Sequence, residues 1–289
     1  MRKTKNISMV ILAIVLVCSF TVAVYAYSSS ATAQVYPTGD NDIYFHANNN
    51  SDADPSAIKY ISHYAESAWM GAVLASADYY DDQHRYNSLN SYYTETNAAD
   101  GTYTEYVEGY TEYMPPITYT DHPTDSASYY KGARLSTLNS NELTDVKVFL
   151  DELDKTIAKA FEVDLSSYRK IDTLNGFMTP EYYELRLLDV RMQIPLKYGD
   201  TIPSIYLNKD NTQGIAFTQD LQGVYTLYEF EANKDKESRF KWTITGTKTV
   251  QGEYKAVNEN VKEYFKKNPN PPTYKYESTG SKLTITITR

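Results

Sequence analysis

Cysteine is almost missing: Cys18 is the only one in 289 residues. It sits inside the leading apolar run, so the rest of the chain has no disulfide, no thiol nucleophile and no zinc–thiolate site. Histidine is scarce, with only His46, His63, His84 and His122. None forms the HxxxH or HExxH pair that brings two imidazoles to one zinc. The phosphate-binding GxxxxGK[ST] loop is absent, as are the GxGxxG fingerprint and the GxSxG and SxxK nucleophile motifs. Basic side chains are few in residues 27–135, 4 against 15 acidic, whereas residues 136–289 hold 21 against 22. Such an acidic region repels phosphate backbones and anionic lipid, which argues against nucleic acid as a partner. It suits a cationic partner, or serves solubility alone.

Long apolar runs are confined to the N-terminus. Arg2, Lys3 and Lys5 precede an almost wholly apolar stretch over residues 9–20, and Val24-Tyr25-Ala26 offers a cleavage site. Residues 1–26 therefore read as a signal peptide cleaved after Ala26, which makes the chain secreted or extracytoplasmic. An uncleaved N-terminal membrane anchor is the alternative, since residues 9–26 approach the lower limit for a span. A third is lipidation of Cys18, although Val17 stands where a small residue is expected. In every case the basic residues stay on the cytoplasmic side and the bulk of the chain lies outside.

Residues 27–54 are rich in Ser, Ala, Asn and Asp and read as a flexible linker. Asp54-Pro55 looks like a helix N-cap followed by proline at the first helical position. Ile58, Ile61, Ala65, Ala68, Trp69, Ala72 and Val73 follow at helical spacing, which predicts a helix over about residues 55–80. Residues 79–130 hold twelve tyrosines, nine acidic residues and a single basic one, Arg85. Within them Tyr103-Thr104-Glu105-Tyr106 is echoed by Tyr110-Thr111-Glu112-Tyr113, and as a helix all four tyrosines share one face. Residues 55–135 are thus expected to be a helical, tyrosine-rich acidic region.

Residues 136–289 read as an α+β domain, with helices packed on a twisted antiparallel β-sheet. Leu143, Val146, Phe149, Leu150, Leu153, Ile157, Ala160 and Phe161 mark an amphipathic helix, and a second runs from Thr179-Pro180-Glu181 to about Met192. After Ile194 the period changes to two. One hairpin aligns Phe230 with Phe240, Tyr228 with Trp242, Glu229 with Lys241 and Glu231 with Arg239. Another aligns Tyr276 with Leu283 and Tyr274 with Ile285 around Thr279-Gly280. A weaker one joins Ile205 and Leu207 to Ile215 and Phe217. Val257, Val261, Tyr264 and Phe265 suggest a helix with Glu259 at its start and Lys266-Lys267 at its end, as the macrodipole favours.

No catalytic, cofactor or metal set emerges. His63 and Glu66 stand one helical turn apart. Asp40, Asp42, Asp52 and Asp54 are acidic pairs, and Asn208 to Gly214 has the flavour of a calcium loop but is better read as a strand-connecting turn. Asp78, Asp81 and Asp82 cluster at an expected helix end and are a weak candidate for cation binding. Glu229 and Glu231 share one strand face, but the hairpin gives each a basic partner. The remaining lead is tyrosine, whose rigid apolar ring and polar tip suit sugars, peptides and proteins. The candidate binding residues are Tyr79, Tyr80, Tyr103, Tyr106, Tyr110 and Tyr113. The functional expectation is a non-enzymatic binding module at the cell envelope, with an envelope glycan, peptide or protein as partner and membrane contact only through an uncleaved N-terminus. The alternative is a secreted, carboxylate-dependent, glycosidase-like hydrolase, which requires two unpaired carboxylates across a cleft.

Overall fold

The computed structural model describes residues 27–38, 41–114, 120–121, 123–131, 140–171, 185–234 and 240–289. The strands are β1 (Ser29–Pro37), β2 (Ile43–Ser51), β3 (Ile58–Trp69), β4 (Ala72–Asp81), β5 (Ser88–Glu95), β6 (Gly101–Tyr113), β7 (Thr120–Asp121) and β8 (Thr124–Lys131). After helix α1 (Ser140–Ala160) come β9 (Tyr168–Ile171) and the single turn α2 (Leu188–Arg191). Then follow β10 (Ser204–Asn208), β11 (Gln213–Gln219), β12 (Val224–Lys234), β13 (Phe240–Gln251), helix α3 (Glu259–Lys267), β14 (Thr273–Thr279) and β15 (Lys282–Thr288). They form three sheets. The first runs β1-β2-β5-β15-β14, the central one β4-β3-β6-β7 with β8 also on β6, and the third β13-β12-β11-β10-β9. The molecule is therefore mostly β, and the expected α+β architecture of helices on one sheet is overturned.

The largest departure is at residues 55–80. The Asp54 cap is real: its carboxylate accepts from Ser56 N, but it opens only one 3-10 turn, Pro55–Ala57, before β3 begins. Along β3 every residue from Ile61 to Trp69 is buried. Ile61, Ala65 and Trp69 enter one core, while Tyr64 enters another on the opposite side. A strand covered on both faces loses its apolar–polar alternation, and small residues in the continuous run then mimic a helical stripe. The tyrosine repeat is likewise not a helix but β6, paired along its length with β3 and β8.

Residues 27–54, expected as a linker, instead supply β1 and β2. Their pairing is regular, from Ser29 opposite Ser51 to Pro37 opposite Ile43. Polar outward residues hide the alternation: Ile43, Phe45 and Ala47 are fully buried, while Tyr44, His46 and Asn48 are half-exposed. Across the boundary expected at 135/136, β15 lies parallel to β5, with Leu283 beside Leu89 and Ile287 beside Tyr93. The chain's last strands thus complete the sheet begun by its earliest described ones.

The first and central sheets face each other across a core of Phe45, Tyr93, Tyr103, Val107, Leu89 and Ile285. Asn49 Nδ2 bridges the two sheets, donating to the Ser62 carbonyl at 2.7 Å. Gly109 makes room for it, since a Cβ there would lie 2.3 Å from the Asn49 side chain. Helix α3 closes one end with Val261 and Phe265, and Tyr264 packs on Trp69 with centroids 4.6 Å apart. This helix carries Glu259 and Lys266-Lys267 where the sequence places them, with Asn258 as the cap.

The third sheet meets the outer side of the central one through residues 185–196. Leu187, Val190 and Ile194 join Tyr64, Tyr106, Ile205, Leu207, Phe230 and Trp242 in one cluster. Its other side is covered by α1, whose Leu153 and Ile157 pack on Tyr206, Phe217 and Leu227. The helix after Thr179 is described only as α2, and residues 179–184 lie outside the described residues.

The hairpins form where the sequence places them but in other registers. Ala232 faces Trp242 and Phe230 faces Ile244, a shift of four, and a bulge between Glu229 and Phe230 sets Tyr228 opposite Thr247. Even slips leave each residue on its face, so the alternation alone does not separate them. Glu229 pairs with Lys248 at 2.7 Å rather than with Lys241, and Arg239 lies outside the described residues. In the last hairpin Tyr276 faces Ile285 and Tyr274 faces Ile287, a slip of two that makes Gly280-Ser281 the turn, with Gly280 at φ +59°. Between β10 and β11, Ile205 faces Ala216 and Tyr206 faces Ile215, so Ile205 and Ile215 lie on opposite faces.

Candidate functional site

Because β6 is a strand, its tyrosines divide between two faces. Tyr103 and Tyr113 are each 1% exposed and face the first sheet, with Tyr103 Oη donating to the Ala99 carbonyl and Tyr113 Oη meeting Ser51 Oγ at 3.1 Å. Tyr106 is 3% exposed on the other face, where its phenol donates to Glu108. These three rings are core and cannot be offered to a partner. Tyr110 is half-buried under the Arg186 guanidinium, 5.6 Å from its centroid, and lines a 270 Å³ pocket with Tyr60, Asp189 and Met192. Tyr79 is wedged between Tyr86 and Tyr276, while Tyr80 is exposed and stacks on Tyr60. The six tyrosines named from the sequence therefore do not make one surface.

A different set does. Alternation sends Tyr44, His46, Asn48 and Asn50 of β2 to the outer face of the first sheet. Register places Tyr36 beside Tyr44, and Gln34, His46, Tyr92 and Thr286 in one row. The next row holds Thr32, Asn48, Asn90 and Thr284. The rings touch in sequence: Tyr36 to Tyr44 at 5.1 Å, Tyr44 to Tyr92 at 6.0 Å, and Tyr92 to His46 at 4.4 Å and 6°. Tyr36 is 43% exposed. Partial burial holds His46 below its ordinary pKa, so near neutrality it is an uncharged ring. Tyr44 is pushed up to about 12 by burial and by its two tyrosine neighbours, and stays a neutral phenol. Asn50 Nδ2 donates to Asn48 Oδ1 at 3.1 Å and Asn50 Oδ1 accepts from Ser88 Oγ, which fixes the amides beside the strip. This face was legible only as a pattern, Tyr44-Phe45-His46-Ala47-Asn48, that alternates within a segment otherwise resembling a tether.

A second feature is a cleft of about 400 Å³ where residues 195–200, the β11–β12 turn and the segment after α3 meet. Asp200 and Asp220 line it, with Tyr198, Tyr228, Leu221, Pro195 and Pro269 as walls. Asp200 Oδ2 accepts from Lys197 N at 2.9 Å. Asp220 Oδ1 accepts from Gln222 N at 2.9 Å and Val224 N at 2.8 Å. Neither carboxylate forms an ion pair among the described residues. Burial, and then the charge of Asp220, push Asp200 up to about 7, against the opposing Lys197 N–H and ammonium.

The other sequence candidates are structural. His63 is wholly buried, held down to about 3 by desolvation, and hydrogen-bonds Ser91 Oγ at 2.9 Å. Glu66, on the opposite face of β3, instead forms a buried bidentate pair with Arg191 at 2.7 Å. Asp81 accepts from the backbone of Gln83, Arg85 and Tyr86, which makes it a turn anchor. Asn208 Oδ1 accepts from Thr212 N and Gln213 N and so closes a strand turn. Among the described residues no group of three His, Cys, Asp or Glu side chains is arranged to hold a metal. His122, Asp40, Glu181 and residues 1–26 lie outside the described residues. Among those described, no helix is long and apolar enough to cross a membrane. Comparison with protein-family models and with curated proteins finds nothing that matches the chain.

Proposed function

We propose that the chain is an exported, non-enzymatic recognition module that holds an extended envelope polysaccharide against the outer face of the first sheet. The observation that carries this reading is the continuous ring strip Tyr36–Tyr44–Tyr92–His46 beside amides and hydroxyls of the same sheet face. Aromatic faces pack against the C–H faces of sugar rings, and their phenols remain available to sugar hydroxyls. Gln34, Asn48, Thr284 and Thr286 supply both donors and acceptors beside the strip. Strands are rigid supports, so little ordering is required on binding.

Joint substitution of Tyr36, Tyr44 and Tyr92 by Ser should abolish co-sedimentation with envelope polysaccharide while the thermal midpoint stays near that of the parent. Retained binding removes the proposal. Export rests on the basic–apolar–small pattern of residues 1–26. Intact mass of the released protein should begin at Tyr27, and a released species still carrying residues 1–26 would contradict cleavage.

A further inference from the structure

We infer that the cleft containing Asp200 and Asp220 is a second binding site, one that takes a primary ammonium group carried on an apolar stem. Each carboxylate has one oxygen anchored by backbone N–H groups, Lys197 for Asp200 and Gln222 with Val224 for Asp220. The other oxygen of each makes no hydrogen bond among the described residues. The anchoring amides fix where the acids sit, and Thr201 ties their two segments together, its N donating to the Gln219 carbonyl and its hydroxyl accepting from Gln219 N, both at 2.9 Å. Asp200 is buried and Asp220 beside the same cleft is half-exposed, so the charge of Asp200 is held at a cost that a cation in the cleft relieves.

The walls select the kind of cation. Tyr198, Tyr228, Leu221, Pro195 and Pro269 offer aromatic and apolar surface, which accommodates methylenes and attracts ammonium to ring faces. Calcium wants six to eight oxygens, and among the described residues no three carboxylates or imidazoles are grouped to hold a metal. The lining cation, Lys197, is exposed and forms no ion pair with either aspartate among the described residues. A volume of about 400 Å³ is within the range of small-ligand sites. The ammonium could come from a free alkylamine or from a lysine of a protein partner, which is the same chemistry from two sources.

The test uses the full exported chain, titrated by NMR with n-butylamine, with a short peptide carrying one internal lysine, with its acetyl-lysine counterpart and with calcium chloride. Saturable binding of the first two and none of the third is expected, with shifts at Tyr228. D200N, whose amide oxygen still accepts from Lys197 N, should weaken both by at least about tenfold. Tighter binding of the peptide identifies a protein lysine as the source, and equal or weaker binding a free amine. The inference is overturned if neither amine saturates, if D200N binds as the parent does, or if calcium alone occupies the site. It is equally overturned if the parent, but not D200N, releases reducing ends from envelope polysaccharide, which would assign the acids to hydrolysis.

Discussion

A tyrosine stands two residues ahead of a buried glutamate on three different strands. Tyr64 donates to Glu66, Tyr93 to Glu95 and Tyr106 to Glu108. Residues i and i+2 of a strand share a face, so each phenol meets a carboxylate that burial would otherwise leave poorly solvated. Arg191 completes the Glu66 site, and Arg289 and Tyr264 complete that of Glu95. R191M strands Glu66 in the interior and should cost about 3–5 kcal/mol in urea denaturation. Y93F removes one neutral donor and should cost less, about 1–3 kcal/mol. The Tyr-x-Glu spacing is visible in the sequence, yet 103, 106, 110 and 113 also satisfy a helical period. Only β pairing separates them, sending Tyr103 and Tyr113 to one core and Tyr106 to another.

At the scale of elements, α1 and α3 were legible because each buries one face only. Residues 55–80 were not, because β3 is covered on both sides and its continuous buried run mimics a helical spacing. The β12–β13 and β14–β15 hairpins were legible as hairpins but not in register, since slips of two or four conserve faces and the bulge at Glu229/Phe230 adds one more residue to the shift beyond it. Strands β1 and β2 were hidden because polar and aromatic residues face outward and few apolar ones face inward. Close approach of the first and central sheets depends on Gly109. G109A places a methyl 2.3 Å from Asn49 and should destabilise by about 1–3 kcal/mol, read from the denaturation midpoint.

For the whole molecule, buried carboxylates set an unusual pH dependence. Burial pushes Glu105 and Glu108 up to about 8 and Asp200 up to about 7. Between the ordinary carboxylate range and those values the folded chain holds protons that the unfolded chain has released. Stability therefore falls as pH rises through this window, and below the ordinary range these groups contribute no slope. The thermal midpoint should be higher near about pH 5.5 than near about pH 8.5. E105Q, which keeps an acceptor for Ser67 Oγ, should flatten the difference. A midpoint that climbs with pH would show these acids to be ionised in the fold. Among the described residues the first sheet also carries the ring strip Tyr36–Tyr44–Tyr92–His46 on its outer face, and the proposed recognition uses that face. The most direct test is NMR titration of the protein with a soluble envelope polysaccharide. The account predicts perturbations centred on Tyr36, Tyr44, His46 and Tyr92, and perturbations confined to Tyr79, Tyr80 and Tyr276, or none, would contradict it.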